Sequence, residues 1–169
     1  MALASIQSMV NISGRDKVYV AALPFQAKTE PAHSVTLALH KLHLWDLQHF
    51  LVIIKTSLPP SNSQASVFDF QPEDPEDVFA LALAALPGRS VPGTLLRRTM
   101  KRLPKQRCWF VGSSKGDSLD IALKFNDTWG TDWKMGIHDC RIYANELVEC
   151  LTGEKRVLER LRRRTPWLL

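Results

Sequence analysis

Apolar positions in this chain gather into several short runs and one long amphipathic stretch, with polar turns between them. Lys17-Val-Tyr-Val-Ala-Ala-Leu23 reads as a first strand, which Pro24 ends. Residues 32–41 carry Val35 and Leu39 at helical spacing, continued by Leu42, and are expected to be at least partly helical. Residues 46–55 then hold a near-continuous apolar run rich in β-branched side chains, the pattern of a central strand covered on both faces. A polar loop at 57–64 leads to a second strand at 65–70, so the pair reads as a hairpin with a long connection. An acidic turn at 71–77 feeds a helix over 78–86, read as buried and stopped by Pro87-Gly88. The basic stretch 93–104 reads either as a short helix or as an irregular excursion. Segments 107–112 and 119–125 read as the two strands of a hairpin turning at 113–118. A loop over 126–137 follows.

The long amphipathic stretch comes next. Asp139 is a good N-cap and Gly153 a good stop, so the residues between them read as one helix. Cys140, Ala144, Leu147, Val148 and Leu151 then fall on one face. Cys140 lies in the first turn, where free backbone N–H groups and the helix dipole favour a thiolate. Its sulfur points along the apolar face, so it is either a small core filler or a nucleophile. A charged helix over 154–164 closes the pattern, with Val157, Leu158 and Leu161 as its apolar stripe. Strands outnumber helices and are mostly adjacent in sequence, which predicts an α+β fold with an antiparallel sheet. The expected organisation is a flexible N-terminus at 1–15, a single domain at 16–153, and a basic C-terminal helix and tail at 154–169.

Composition narrows the function classes. At 169 residues, with 45% hydrophobic and 23% charged side chains, the chain has the makings of one globular core. The longest strongly apolar stretch, at 78–86, is too short to span a bilayer. Of the net charge of +5, the segment 154–164 alone contributes +4, so the remainder is nearly neutral. Three cysteines, Cys108, Cys140 and Cys150, are too few and too oddly spaced for a disulfide framework or a zinc site. A reducing compartment is expected, with no secretory signal; cytoplasm is the first reading and plastid the alternative.

A thiol becomes a nucleophile when a base takes its proton or a positive charge stabilises the thiolate. Five histidines are available: His33, His40, His43, His49 and His138. His49 opens the most strand-like segment, where a side chain is rigidly aimed. A third polar group would orient the imidazole, and Asp69 and Gln71 on the next strand are the candidates. Strand alternation bears on the choice: if Phe68 and Phe70 face the helix layer, Asp69 does not.

Gln48-His-Phe-Leu-Val-Ile-Ile54, followed much later by Asp139-Cys-Arg-Ile-Tyr143 and by Leu151-Thr-Gly153, resembles a circularly permuted papain-like domain. That group includes the NlpC/P60-like and lecithin:retinol acyltransferase-like proteins and the PPPDE peptidases. The resemblance implies a His49–Cys140 dyad on an α+β sheet, acting on an amide, ester or isopeptide bond of a protein or acylated substrate. It implies no cofactor and no metal. Asp139 stands where the group usually has asparagine; its charge disfavours a thiolate unless spent on capping, and Arg141 could offset it. First-turn N–H groups are the expected oxyanion donors. The other reading is an inactive papain-like fold that binds a protein partner.

His138 is either a substitute base or a loop residue. Arg97, Arg98, Lys101, Arg102, Lys105 and Arg107 lack the interleaved aromatic platforms of a single-strand binder, so nucleic acid is not the expected partner. Trp129 and Trp133, around Gly130, either wall a pocket or cap the core.

Overall fold

A computed structural model describes residues 15–23, 48–57 and 64–164. Its strands are β1 (Lys17–Leu23), β2 (His49–Lys55), β3 (Ala65–Pro72), β4 (Val91–Met100), β5 (Cys108–Ser113) and β6 (Asp132–Trp133). All pair antiparallel, in an open sheet of order β5-β1-β2-β3-β4-β6. The helices among the described residues are α1 (Val78–Ala84), α2 (Ser118–Thr128), α3 (Cys140–Thr152) and α4 (Val157–Arg164). The fold is therefore α+β with an antiparallel sheet. The expected helix at 32–41, with His33, His40 and His43, lies outside the described residues.

β2 is central because its apolar run can satisfy both faces of the sheet, and every residue from His49 to Ile54 is buried. On one face Val20, Val52 and Phe68 lie abreast across β1, β2 and β3. With Phe50, Ile54 and Phe70 they join Tyr143, Ala144, Leu147, Val148 and Leu151 of α3 in the main core. Side chains of opposite parity, Ala21, Leu51, Ile53, Ala65 and Val67, form a second buried cluster on the reverse face. Helix α3 is thus the element that covers the sheet. Burying a leucine such as Leu147 or Leu151 stabilises the fold by about 1.5–3 kcal/mol. Gly153 ends the helix in the left-handed region (φ 81°), its N–H donating to the Glu149 carbonyl at 2.7 Å. Helix α4 is part of the same core. Val157 and Leu158 are buried in it, and the Leu158 N–H donates to Asn145 Oδ1 of α3 at 3.1 Å.

Four expectations are corrected. Residues 119–125 are helical: Leu119, Ile121, Leu123 and Phe125 alternate as a strand would, but Asp117 caps the first turn through Asp120 N–H (3.1 Å). β5 consequently pairs with β1 and forms no hairpin with this segment. The basic stretch from Gly93 to Met100 is strand, because β3 offers it a continuous ladder from Ala65↔Met100 to Pro72↔Gly93. Gly93 is required there, since a Cβ would lie 2.6 Å from the Phe70 ring. The segment 126–137 is not all loop, containing the end of α2 and strand β6. Helix α1 is shorter than expected, ending at Ala84, which is buried, whereas Leu83 and the following Leu86 are exposed.

Candidate active site

Helix α3 starts at Cys140 because Asp139 closes its first turn. Asp139 Oδ1 accepts from the Arg141 and Ile142 N–H groups (2.9 and 3.3 Å). Its Oδ2 accepts from the Gly136 N–H (2.6 Å) and from the Arg141 guanidinium (Nη2 2.9 Å, Nε 3.2 Å). The carboxylate that stands beside the thiol is therefore fully spent on capping and on Arg141. This also revises the oxyanion expectation. Arg141 and Ile142 give their N–H groups to the cap, and the Tyr143 N–H donates to the Asp139 carbonyl at 3.0 Å. Within the first turn, the N–H of Cys140 itself is the donor left for a substrate oxygen.

His49 and Asp69 meet on neighbouring strands. His49 Nε2 lies 2.9 Å from Asp69 Oδ2, with both residues buried. Phe68 and Phe70 do face α3, and Asp69 points to the reverse side, as alternation requires. His49 has the parity of Leu51 and Ile53, so the alternation that turns Asp69 from the helix layer brings it to His49. The β2–β3 ladder runs only from Ile54↔Ser66 to Val52↔Phe68, so His49 lies beyond it, at the end of the sheet. There the N-terminus of α3 arrives, with Cys140 Sγ 3.8 Å from the Gln48 carbonyl.

The imidazole responds to these neighbours. Burial alone would lower its pKa, but hydrogen bonds with Asp69 and Cys140, and the charges on both, push it up to about 9. At neutral pH it is an imidazolium. Its Nε2 is turned to Asp69, which leaves Nδ1 as the ring nitrogen on offer to the thiol.

Sequence reasoning missed two further members of the cluster. Arg98 on β4 donates through Nη2 to the same Asp69 Oδ2 at 2.6 Å, holding the carboxylate from the solvent side. Nothing local predicts this, because it depends on the β3–β4 register. The other is Gln48, only 2% exposed and next to His49. Its one sequence signal was a polar residue opening an apolar run. Gln71 is half-buried and sits opposite Thr94 in the β3–β4 ladder; the side chain that meets His49 is Asp69.

The remaining candidates are structural in their surroundings. The His138 ring stacks on Trp129 (4.4 Å, 14°), and its Nδ1 lies 2.6 Å from the Asp132 carbonyl oxygen. Trp133 is buried in the core, and Trp129 packs edge-on to Phe70 and Tyr143, so both tryptophans cap the core. Cys108 is half-buried on β5, and burial pushes its thiol up. Among the described residues, no three His, Cys, Asp or Glu side chains are grouped to hold a metal ion. Likewise, no described helix is long and apolar enough to cross a membrane. Comparison with protein-family models, with curated proteins and with solved structures gives no match.

Proposed function

We propose that this protein is a thiol-dependent hydrolase or acyltransferase of permuted papain-like type, acting on an amide, ester or isopeptide bond. The observation that carries the reading is the buried His49 imidazole, 2.9 Å from the Asp69 carboxylate and beside the Cys140 thiol at a helix N-terminus. Cys140 Sγ attacks the substrate carbonyl as a thiolate, forming an S–C bond and an oxyanion held by the Cys140 N–H. The C–N or C–O bond then breaks, and the imidazolium of His49 gives its proton to the leaving amine or alcohol. Water, or an acceptor nucleophile, attacks the thioester while neutral His49 takes its proton; the C–S bond breaks, the acyl product leaves, and the Cys140 thiolate and His49 imidazolium are restored. Asp69 orients the ring through Nε2, and Arg98 holds Asp69.

The test is alkylation of Cys140 by iodoacetamide at pH 7, followed by mass spectrometry. Labelling at least about tenfold faster than a free thiol, and lost in His49→Ala, supports the reading. A free-thiol rate, or one indifferent to His49, overturns it. One observation favours a second reading, an inactive fold that binds a protein partner: Cys140 is 3% exposed and His49 5%. That reading expects slow labelling in both proteins.

A further inference from the structure

We infer that the reverse face of the sheet binds single-stranded nucleic acid, its phosphates held by lysine and arginine and a base stacked on Phe110. The inference is independent of the thiol reading, since it uses none of the residues placed at that site. Between Asp77 and Asp117 the chain carries eight lysines and arginines and no carboxylate. The fold aims part of this run. The connection from β4 to β5 crosses the reverse face, where Leu103 packs against the cluster of Leu51, Ile53 and Val67. Lys101, Arg102 and Lys105, on either side of Leu103, are exposed.

Two more cations join them from the sheet itself. Lys17 of β1 and Lys55 of β2 are exposed and stand directly opposite each other in the ladder. They share the parity of Tyr19 and Ile53, which belong to the reverse face. Met100 pairs with Ala65 at this same end of the sheet, so Lys101 begins where the row ends. Like charges directly opposite on neighbouring strands cost stability, and a bridging anion removes that cost. Lysines do guard sheet edges against pairing, but β1 and β2 are interior strands. None of these five cations has an ion pair among the described residues.

A cationic face alone fits any polyanion, and an aromatic residue narrows the choice. The basic stretch 97–107 has no aromatic side chain of its own, which is why nucleic acid was not expected from the sequence. The β1–β5 register supplies one. It sets Phe110 opposite Tyr19 on the reverse face, one same-face step along β1 from Lys17. The two rings meet edge-on, 5.6 Å apart at 66°, and Phe110 remains 55% exposed. An exposed ring beside a cationic track is how single strands are held without regard to sequence. A duplex keeps its bases stacked on one another, and a lipid headgroup offers an anion without a ring.

The experiment is fluorescence anisotropy of the full chain with labelled oligothymidylate, oligouridylate, a duplex of equal length and inorganic polyphosphate. Both single strands are expected to bind at least about 10-fold tighter than polyphosphate, the margin that stacking one base supplies. Their log affinity should fall against log salt with a slope of about −3. Lys17→Gln and Lys55→Gln should each reduce that slope by about 0.7. Phe110→Leu should weaken single-strand binding by about 10-fold and leave polyphosphate unmoved, whereas Phe110→Trp should retain full affinity. Tighter binding of one single strand than of the other supports the inference and identifies the sugar. Polyphosphate or duplex bound as tightly as the single strands, or Phe110→Leu without effect, overturns it. Binding only to vesicles rich in phosphatidylserine overturns it in favour of a membrane surface.

Discussion

The two ends of helix α3 carry the same functional group in opposite settings. Cys140 opens the helix, buried, beside a protonated imidazole, at the end where the dipole favours negative charge. Cys150 lies in the last turns and is exposed; partial burial, then the Glu149 and Glu146 carboxylates, pushes its thiol up. One helix thus holds a thiol set beside a buried histidine and another whose neighbours oppose the anion. The difference lies in what surrounds each end: the end of a sheet with its histidine, or the helix's own Glu146 and Glu149.

Substitutions along the helix separate the effect of its two ends from that of its packing. Leu147→Ala, between the thiols and fully buried, should cost about 4 kcal/mol in urea unfolding. The Cys140-to-Cys150 labelling ratio of the folded protein should survive it; a collapse of the ratio would mean that packing, not the two ends, sets reactivity. Asp69→Asn strips the imidazolium of its carboxylate and should cost about 3 kcal/mol at pH 6. The His49 pKa, about 9 when folded, lies above the unfolded 6.5. Stability from this pairing is therefore complete below pH 6.5 and lost as pH rises through 9. Urea midpoints of wild type and Asp69→Asn should accordingly converge between pH 6 and pH 10, and a constant gap would contradict the assignment.

Smaller effects test the helix start. Asp139→Ala removes the cap and should cost about 2 kcal/mol in the same assay. Asp139→Asn keeps the capping oxygen but removes a negative charge beside the thiol, so Cys140 should label faster with stability lowered by only about 1 kcal/mol. Cys150→Ser, at an exposed site, should change the urea midpoint by no more than about 0.5 kcal/mol equivalent and leave Cys140 labelling unaltered.

How much of this was legible in the chain depended on whether the signal was local. Helix α3 could be read from Asp139, the apolar spacing and Gly153, because cap, stripe and stop are all written within one segment. β2 was legible for the same reason. Helix α2 was misread because its alternating apolar residues satisfy a period of two, and only Asp117 signals the helix. β4 was misread because its ladder with β3 is a tertiary property that charged residues obscure. At the candidate site, Cys140, His49 and Asp69 were named from the residues, and the structure brings them together. Arg98 was not named as a partner of Asp69, since 29 positions separate the two and only strand register joins them.

The carboxylate of Asp139 has one more consequence, for time rather than reactivity. It ties Gly136, in the middle of the turn between Lys134 and His138, to Arg141 and Ile142, inside a helix. Helix ends ordinarily fray, and their amides exchange with solvent long before those of the core. Here the Gly136, Arg141 and Ile142 amides should exchange deuterium about as slowly as those of Leu147 and Leu151. The start of this helix would then open only when the whole core does.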